Sequence, residues 1–416
     1  TEWGFDGIVV SDWGGVKNRV KALKAGNDLD MPENNRNNRS VDEALKKGEV
    51  SIEELDTVVE RLVEFALKAK EAENFTDEVD FEAHRRISNE VAEDSIVLLK
   101  NDDSILPLTN KKYRKAAVLG AFASEPRYQG GGCTLVNPIR IDTPLAEMNR
   151  LGESEGIEIA YAPAYSVKSM TTDEDIERAV ELAKDSDIAV VFAGLWTAYD
   201  REGFDRKHLK MDESHLRLIE EVIKVQKNTV VVLSTGDAVE MPWVDEVKGI
   251  IEAFLPGETA GKAVADILFG KVNPSGKLPT TYPKRLEDTP AYPFFPGESR
   301  HHVYGEGIFV GHRYYDKKKI DVLFPFGHGL SYSAFRYSNM RLDKASYSDG
   351  EEIMVSVDVE NIGNLKGKET VQFYVRDEES SLLRPERELK AFSKVELESG
   401  EKKTVTVKLT ERSLSF

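Results

Sequence analysis

The chain opens on a short apolar run, FDGIVVS at 5–11, rich in β-branched residues and closed by a polar pair. That composition predicts a buried parallel strand, with Asp12 at its C-terminal end. Gly14 and Gly15 turn the chain into a helix over 16–25, and a second short strand follows at 27–31, closed by Pro32. Strand, helix, strand is the unit of parallel folds. Helices are predicted over 41–48 and 51–70, and Ser51 with Glu54 has the spacing of a capping box. The acidic, apolar-poor stretch 71–82 reads as a linker. From 84 to 285 apolar strands at 115–120, 157–161, 187–194, 229–234 and 248–254 interleave with amphipathic helices at 84–95, 173–185, 212–226 and 259–269. This rhythm predicts a largely parallel sheet covered by helices. Residues 270–330 are dense in Pro, Gly and aromatics and read as an ordered crossing. Beyond them the period drops to two in EIMVSVDVEN, ETVQFYVRD, ELKAFSKVEL and KTVTVKL, the pattern of an antiparallel β-sandwich.

Length supports several folding units, since 416 residues at about 150 per domain give roughly three. Charge removes classes of partner. With 56 basic against 74 acidic residues the net charge is -18, and no basic block tracks a phosphate backbone, so nucleic acid and anionic membrane are excluded as expected partners. The single cysteine, Cys133, excludes an intramolecular disulfide and a multi-cysteine metal site, and the seven histidines, His301 and His302 among them, lack metal-ligand spacing. No metal and no cofactor are therefore expected, while the compartment stays open. No apolar run approaches the ~18 residues that cross a bilayer. A strand begins almost at the first residue, so the start reads as the interior of a domain.

Two segments carry candidate chemistry. A carboxylate at the C-terminal end of a buried parallel strand projects into a loop-built mouth, where α/β folds place reactive groups. Asp12 occupies such a position, although a cap on the following helix is an equally simple use for it. Trp13 beside it suits stacking on a sugar face and equally suits a core. The loop leaving the strand at 187–194 packs Asp200, Arg201, Glu202, Asp205 and Arg206 into seven residues, either a solvated charge run or a tuned acid–base cluster. Gly130, Gly131 and Gly132 raise a nucleotide cradle as a rival, but Cys133, Thr134 and Pro138 follow and no helix starts, so a tight loop bordering a site is the better reading.

These segments resemble glycoside hydrolase family 3, the β-glucosidase group, along nearly the whole chain. GFDGIVVSDWG is similar to the family's nucleophile signature and KAGNDLDMP to its following barrel strand. AEDSIVLLKND with ILPL resembles the opening of the second domain, EGFDR its acid/base loop, and MPW with FLPGETAGKAVADILFGKVNPSGKLPTTYP its end. YGEGIFVGHRYYD, FPFGHGLSY and RPERELKAFSKVEL resemble the connection and the fibronectin type III-like domain. The resemblance implies the tail of a (β/α)8 barrel at 1–72, a linker at 73–83, an α/β sandwich domain at 84–287, a second linker at 288–330 and an incomplete fibronectin type III-like β-sandwich at 331–416. It also implies a retaining, exo-acting β-glycosidase with Asp12 as nucleophile and Glu202 as acid/base, so that Asp12 is ionised and Glu202 protonated at one pH, with Trp196 near the closing loop. Trp13 matches a platform residue, Cys133 and Thr134 lie on a loop that rims the substrate pocket, and Asp205 and Arg206 are placed to pin the acid/base loop. Many relatives carry serine where Cys133 stands.

A complete barrel takes ~250 residues, whereas about 70 here look like its tail. The last residues likewise stop before a closing hairpin of the β-sandwich. The expectation is a fragment, or one chain of a split or trimmed enzyme, acting on a β-linked glucoside or short oligosaccharide. Its expected partner is a chain supplying the rest of the barrel, or a second copy in a homo-oligomer. β-Xylosidase and α-L-arabinofuranosidase are alternatives within the family. An inactive fragment or a carbohydrate-binding or assembly partner is the alternative from another class.

Overall fold

A computed structural model describes residues 4–72, 79–167 and 170–415. Two compact units follow one another, the first ending at Asp80 and the second running from Phe81.

In the first unit α1 (Arg19–Lys24), α2 (Asn35–Lys47) and α3 (Ile52–Ala72) carry the order. The capping box at the start of α3 is formed, with the Ser51 amide donating to Glu54 Oε2 at 2.9 Å and the Glu54 amide to Ser51 Oγ at 3.1 Å. Helix α2 begins six residues earlier than the period suggested, because Asn34 caps it by accepting from the Arg36 and Asn37 amides. The two expected strands are corrected: 5–11 and 27–31 meet in one parallel bridge, Val10 to Leu29, and Val9 and Val10 are 40% and 48% exposed. Among the described residues each of the two segments has only the other as an extended partner, and a lone parallel pair does not build regular strands. The linker expected at 73–83 falls mostly on 73–78, outside the described residues.

The second unit starts with α4 (Phe81–Ser95) and β1 (Val97–Asn101), then alternates β2 (Lys115–Leu119), α5 (Pro144–Glu155), β3 (Glu158–Ala162), α6 (Asp173–Lys184), β4 (Ile188–Gly194), α7 (Glu213–Val225), β5 (Thr229–Ser234), β6 (Gly249–Glu252) and α8 (Ala260–Leu268). Among the described residues the strands form one six-stranded sheet in the order β1-β6-β5-β4-β2-β3, parallel except for β1. Strands β4 and β5 are buried along their whole length, which explains their unbroken apolar sequence. From β2 the chain steps outward to β3, and from β4 it steps the other way to β5 and β6. The loops after β2 and β4 therefore diverge and leave a crevice at the C-terminal end of the sheet, where parallel folds bind ligands. The crossing at 270–330 contains α9 (His312–Lys318) and closes on the sheet edge, where the Leu330 amide donates to the Leu98 carbonyl of β1 at 2.8 Å.

Beyond it β7 (Phe335–Leu342), β8 (Ile353–Asn361), β9 (Gly367–Val375), β10 (Glu388–Leu397) and β11 (Lys402–Leu409) pair as β11-β8-β7 and β10-β9, all antiparallel, before α10 (Glu411–Leu414). Their inward residues, Val355, Val357, Val359, Val371, Phe373, Leu397, Val405 and Leu409, make a core of their own.

Candidate active site

Asp12 lies on an exposed turn of the first unit. Its Oδ1 accepts from the Trp13 amide at 2.7 Å, and its carbonyl accepts from the Gly15 amide at 3.1 Å. The capping alternative fails, because α1 is capped by Asn18, whose Oδ1 accepts from the Lys21 amide at 3.0 Å. The turn is tied to 27–31: the Ser11 amide donates to the Leu29 carbonyl and the Gly14 amide to the Met31 carbonyl, each at 2.8 Å. Beneath it Asp28 is buried, accepts from the Val9 amide at 2.8 Å and faces Arg61 at 3.3 Å. Trp13 is 72% exposed, so its ring is available as a platform and takes no part in a core.

Glu202 is in the second unit, on the loop that leaves β4, and its carboxyl is exposed. The loop after β2 comes alongside it. Gly131 pairs with Arg201 in a parallel bridge, and the Cys133 thiol donates to Glu202 Oε2 at 2.8 Å. Thr134 turns its hydroxyl back onto the Gly131 carbonyl at 3.0 Å, closing the short 3-10 turn Gly132–Thr134. Glu202 and Cys133 thus come together across the crevice between β2 and β4, with Thr134 turned back on the Cys133 loop.

The roles expected of Asp205 and Arg206 divide. Arg206 reaches the Ala238 carbonyl at 3.1 Å, and burial pushes its guanidinium below its ordinary range. Asp205 is exposed, and among the described residues no hydrogen bond or ion pair involves its carboxylate. The carboxylate pin is Asp200 instead, because its side chain, unlike that of Asp205, points inward. It faces Arg127 Nη2 at 3.1 Å and accepts from the Gly236 amide at 3.0 Å. Sequence reasoning assigned no role to Asp200 and passed over Arg127 and Gly236; these lie on three different loops, and only the sheet order makes them neighbours.

Under the loop, Trp196 turns its ring inward rather than toward a sugar. It packs against Phe122, Tyr165 and His215, with centroids 5.2, 5.9 and 4.9 Å away. His215 Nδ1 sits 3.0 Å from the Gly194 carbonyl, and burial lowers the ring to about 4, so it is neutral near pH 7. A second buried titratable group, Glu252 at the end of β6, accepts from Thr235 Oγ1 at 2.9 Å, the Tyr282 hydroxyl at 3.0 Å and the Phe254 amide at 2.9 Å.

Three family models match in chain order. The glycosyl hydrolase family 3 N-terminal domain covers residues 1–65, the family 3 C-terminal domain 96–332 and a fibronectin type III-like domain 369–416. The chain belongs to glycosyl hydrolase family 3. Among family 3 proteins it is 48% identical over 417 residues to the thermostable β-glucosidase B of Acetivibrio thermocellus, covering 100% of this chain and 55% of that protein. It is 40% identical over 427 residues to an exo-α-(1->6)-L-arabinopyranosidase of Bifidobacterium breve, again covering 100% and 55%. The crystal structure of the family 3 β-glucosidase of Bifidobacterium adolescentis superposes with a TM-score of 0.88 at 38% identity, over 99% of this chain and 60% of that one. The chain spans about half the length of the curated relatives it matches.

Proposed function

We propose that the chain carries the two reacting carboxylates of a retaining, exo-acting β-glucosidase. Asp12 attacks the anomeric carbon while Glu202 gives its proton to the departing glycosidic oxygen, and a glycosyl ester forms on Asp12. Glu202, now ionised, takes a proton from water, whose oxygen displaces Asp12 and releases the sugar with its configuration kept. Retention requires the two carboxyl groups to flank the anomeric carbon about 5–5.5 Å apart. Trp13 serves as platform, and Cys133 and Thr134 form the rim. The chain spans about half the length of the relatives it matches, so activity is measured on the active protein.

The observation that carries this reading is the pairing of an exposed Glu202 with the loop of Cys133 at the C-terminal end of the sheet, in a chain 48% identical to a protein named as a β-glucosidase. A slow 2-fluoro-glucoside tests it: peptide mapping is expected to find the label within 5–15, on Asp12, and a label elsewhere removes the assignment. A second reading comes from the arabinopyranosidase, 40% identical. An α-L-arabinopyranoside also presents an equatorial aglycone, so the same two carboxylates serve, and relative kcat/KM on the two aryl glycosides decides between them.

A further inference from the structure

Two residues before Glu202 the chain ties a knot that the reaction scheme leaves without a purpose. The Asp200 side chain is 9% exposed and faces Arg127, itself 3% exposed, at 3.1 Å. Asp200 also accepts from the Gly236 amide at 3.0 Å, and its carbonyl accepts from the Gly131 amide at 2.9 Å. The other end of the Arg127 guanidinium donates to the Leu195 carbonyl. One carboxylate thereby joins the loops that leave β2, β4 and β5. The approach leaves little spare room: a Cβ on Gly131 would lie 2.9 Å from the Cβ of Arg201, and one on Gly236 would lie 3.0 Å from the Asp200 carboxyl carbon.

Burying an ion pair is costly, and apolar residues of similar volume often stabilise as well or better. Fold stability is thus a weak reason for placing one here. The knot does fix the register between Gly131 and Arg201, and so the spacing between Cys133, two residues beyond Gly131, and Glu202, one residue beyond Arg201. We propose that Asp200, clamped by Arg127 and the Gly236 amide, is the positioning residue that holds the Glu202 carboxyl against the Cys133 thiol. The proposal rests on the reading of Glu202 as acid/base.

Cys133 is the one cysteine in these 416 residues, and its alkylation by iodoacetamide, located by peptide mapping, reports on this contact. A thiol that donates its proton to a neighbouring carboxyl oxygen is slow to present a thiolate to the reagent. Glu202→Gln and Asp200→Asn are each expected to accelerate alkylation by about threefold or more, and the double variant to react no faster than either single one. Gly236→Ala keeps every charge and only presses on Asp200, and it is expected to move the rate in the same direction should Asp200→Asn fail to fold. In the active protein Asp200→Asn is expected to lower kcat for an alkyl glucoside about tenfold while leaving KM and nitrophenyl glucoside turnover within about threefold, the mark of a misplaced proton donor. A wild-type alkylation rate in folded Asp200→Asn, or in Gly236→Ala where the first does not fold, overturns the proposal. Azide rescue of Glu202→Ala judges the acid/base reading separately. Rescue alongside an unchanged thiol rate removes the positioning role alone, whereas no rescue alongside accelerated alkylation removes the catalytic reading and leaves only a clamp on the loop.

Discussion

Glu202 and Cys133 are 69 residues apart in the chain and meet through a hydrogen bond. Carboxyl and thiol differ in chemistry, so the roles of the individual groups are separable. With Glu202 as the proposed acid/base, removing its carboxyl takes away a proton that only poor leaving groups need, so Glu202→Ala is expected to slow alkyl glucosides by about 10²-fold or more and activated aryl glucosides far less. Azide is expected to restore turnover as a glycosyl azide of retained configuration. Should Asp205→Ala behave this way and Glu202→Ala not, the assignment moves to Asp205. Asp12 offers no such leniency. With Asp12 as the proposed nucleophile every substrate depends on it, so Asp12→Asn is expected to lose about 10³-fold or more with good and poor leaving groups alike, measured as kcat/KM across one aryl series.

Among the elements, β4, β5 and β6 show where sequence patterns are trustworthy and where they stop. Their largely apolar runs announced buried parallel strands, and the structure ends each within two residues of the expectation. The expected strand at 5–11 had the same composition and did not form, because composition records what a segment requires of its neighbours and not whether they are present. Strand β7 went unnoticed for a related reason: its period of two is broken by a bulge between Ser338 and Arg341. The site divides along the same line. Asp12 and Glu202 stand in motifs that can be read along the chain, whereas the Arg127–Asp200–Gly236 knot exists only once β2, β4 and β5 lie side by side.

Glu252 at the end of β6 adds a prediction of its own. Burial raises its carboxyl from 4.5 to about 8, against the pull of three donors. The folded protein therefore holds this proton more tightly than the unfolded chain. The stability it contributes is complete below about 4.5 and is lost as pH rises through 8. Glu252→Gln is expected to flatten the fall in Tm between pH 5 and pH 9 relative to wild type, as followed by thermal melts; parallel curves would mean that Glu252 does not titrate in that window.

At the scale of the molecule the two units differ in how much they bury. The first relies on Leu23, Ala44, Val50 and Val58, whereas the second buries the full length of its central strands. Fewer buried contacts mean cheaper local opening. Limited proteolysis is expected to cut within 4–72 well before it reaches the sheet of the second unit, and hydrogen exchange to rank the units the same way; equal protection would show that the first unit draws stability from contacts beyond its own core.

The edge of the large sheet has a further consequence. Strand β1 runs against its neighbour, and Leu330 returns from 232 residues further along the chain to take up a carbonyl of its outer side. An open strand is an invitation to another molecule, since its unpaired amides and carbonyls can template a growing stack of foreign strands. Here part of that invitation is answered from within. The sheet borders a mouth crowded with reactive loops, and its own backbone at this margin is partly closed to the self-propagating association that would carry those loops into an aggregate.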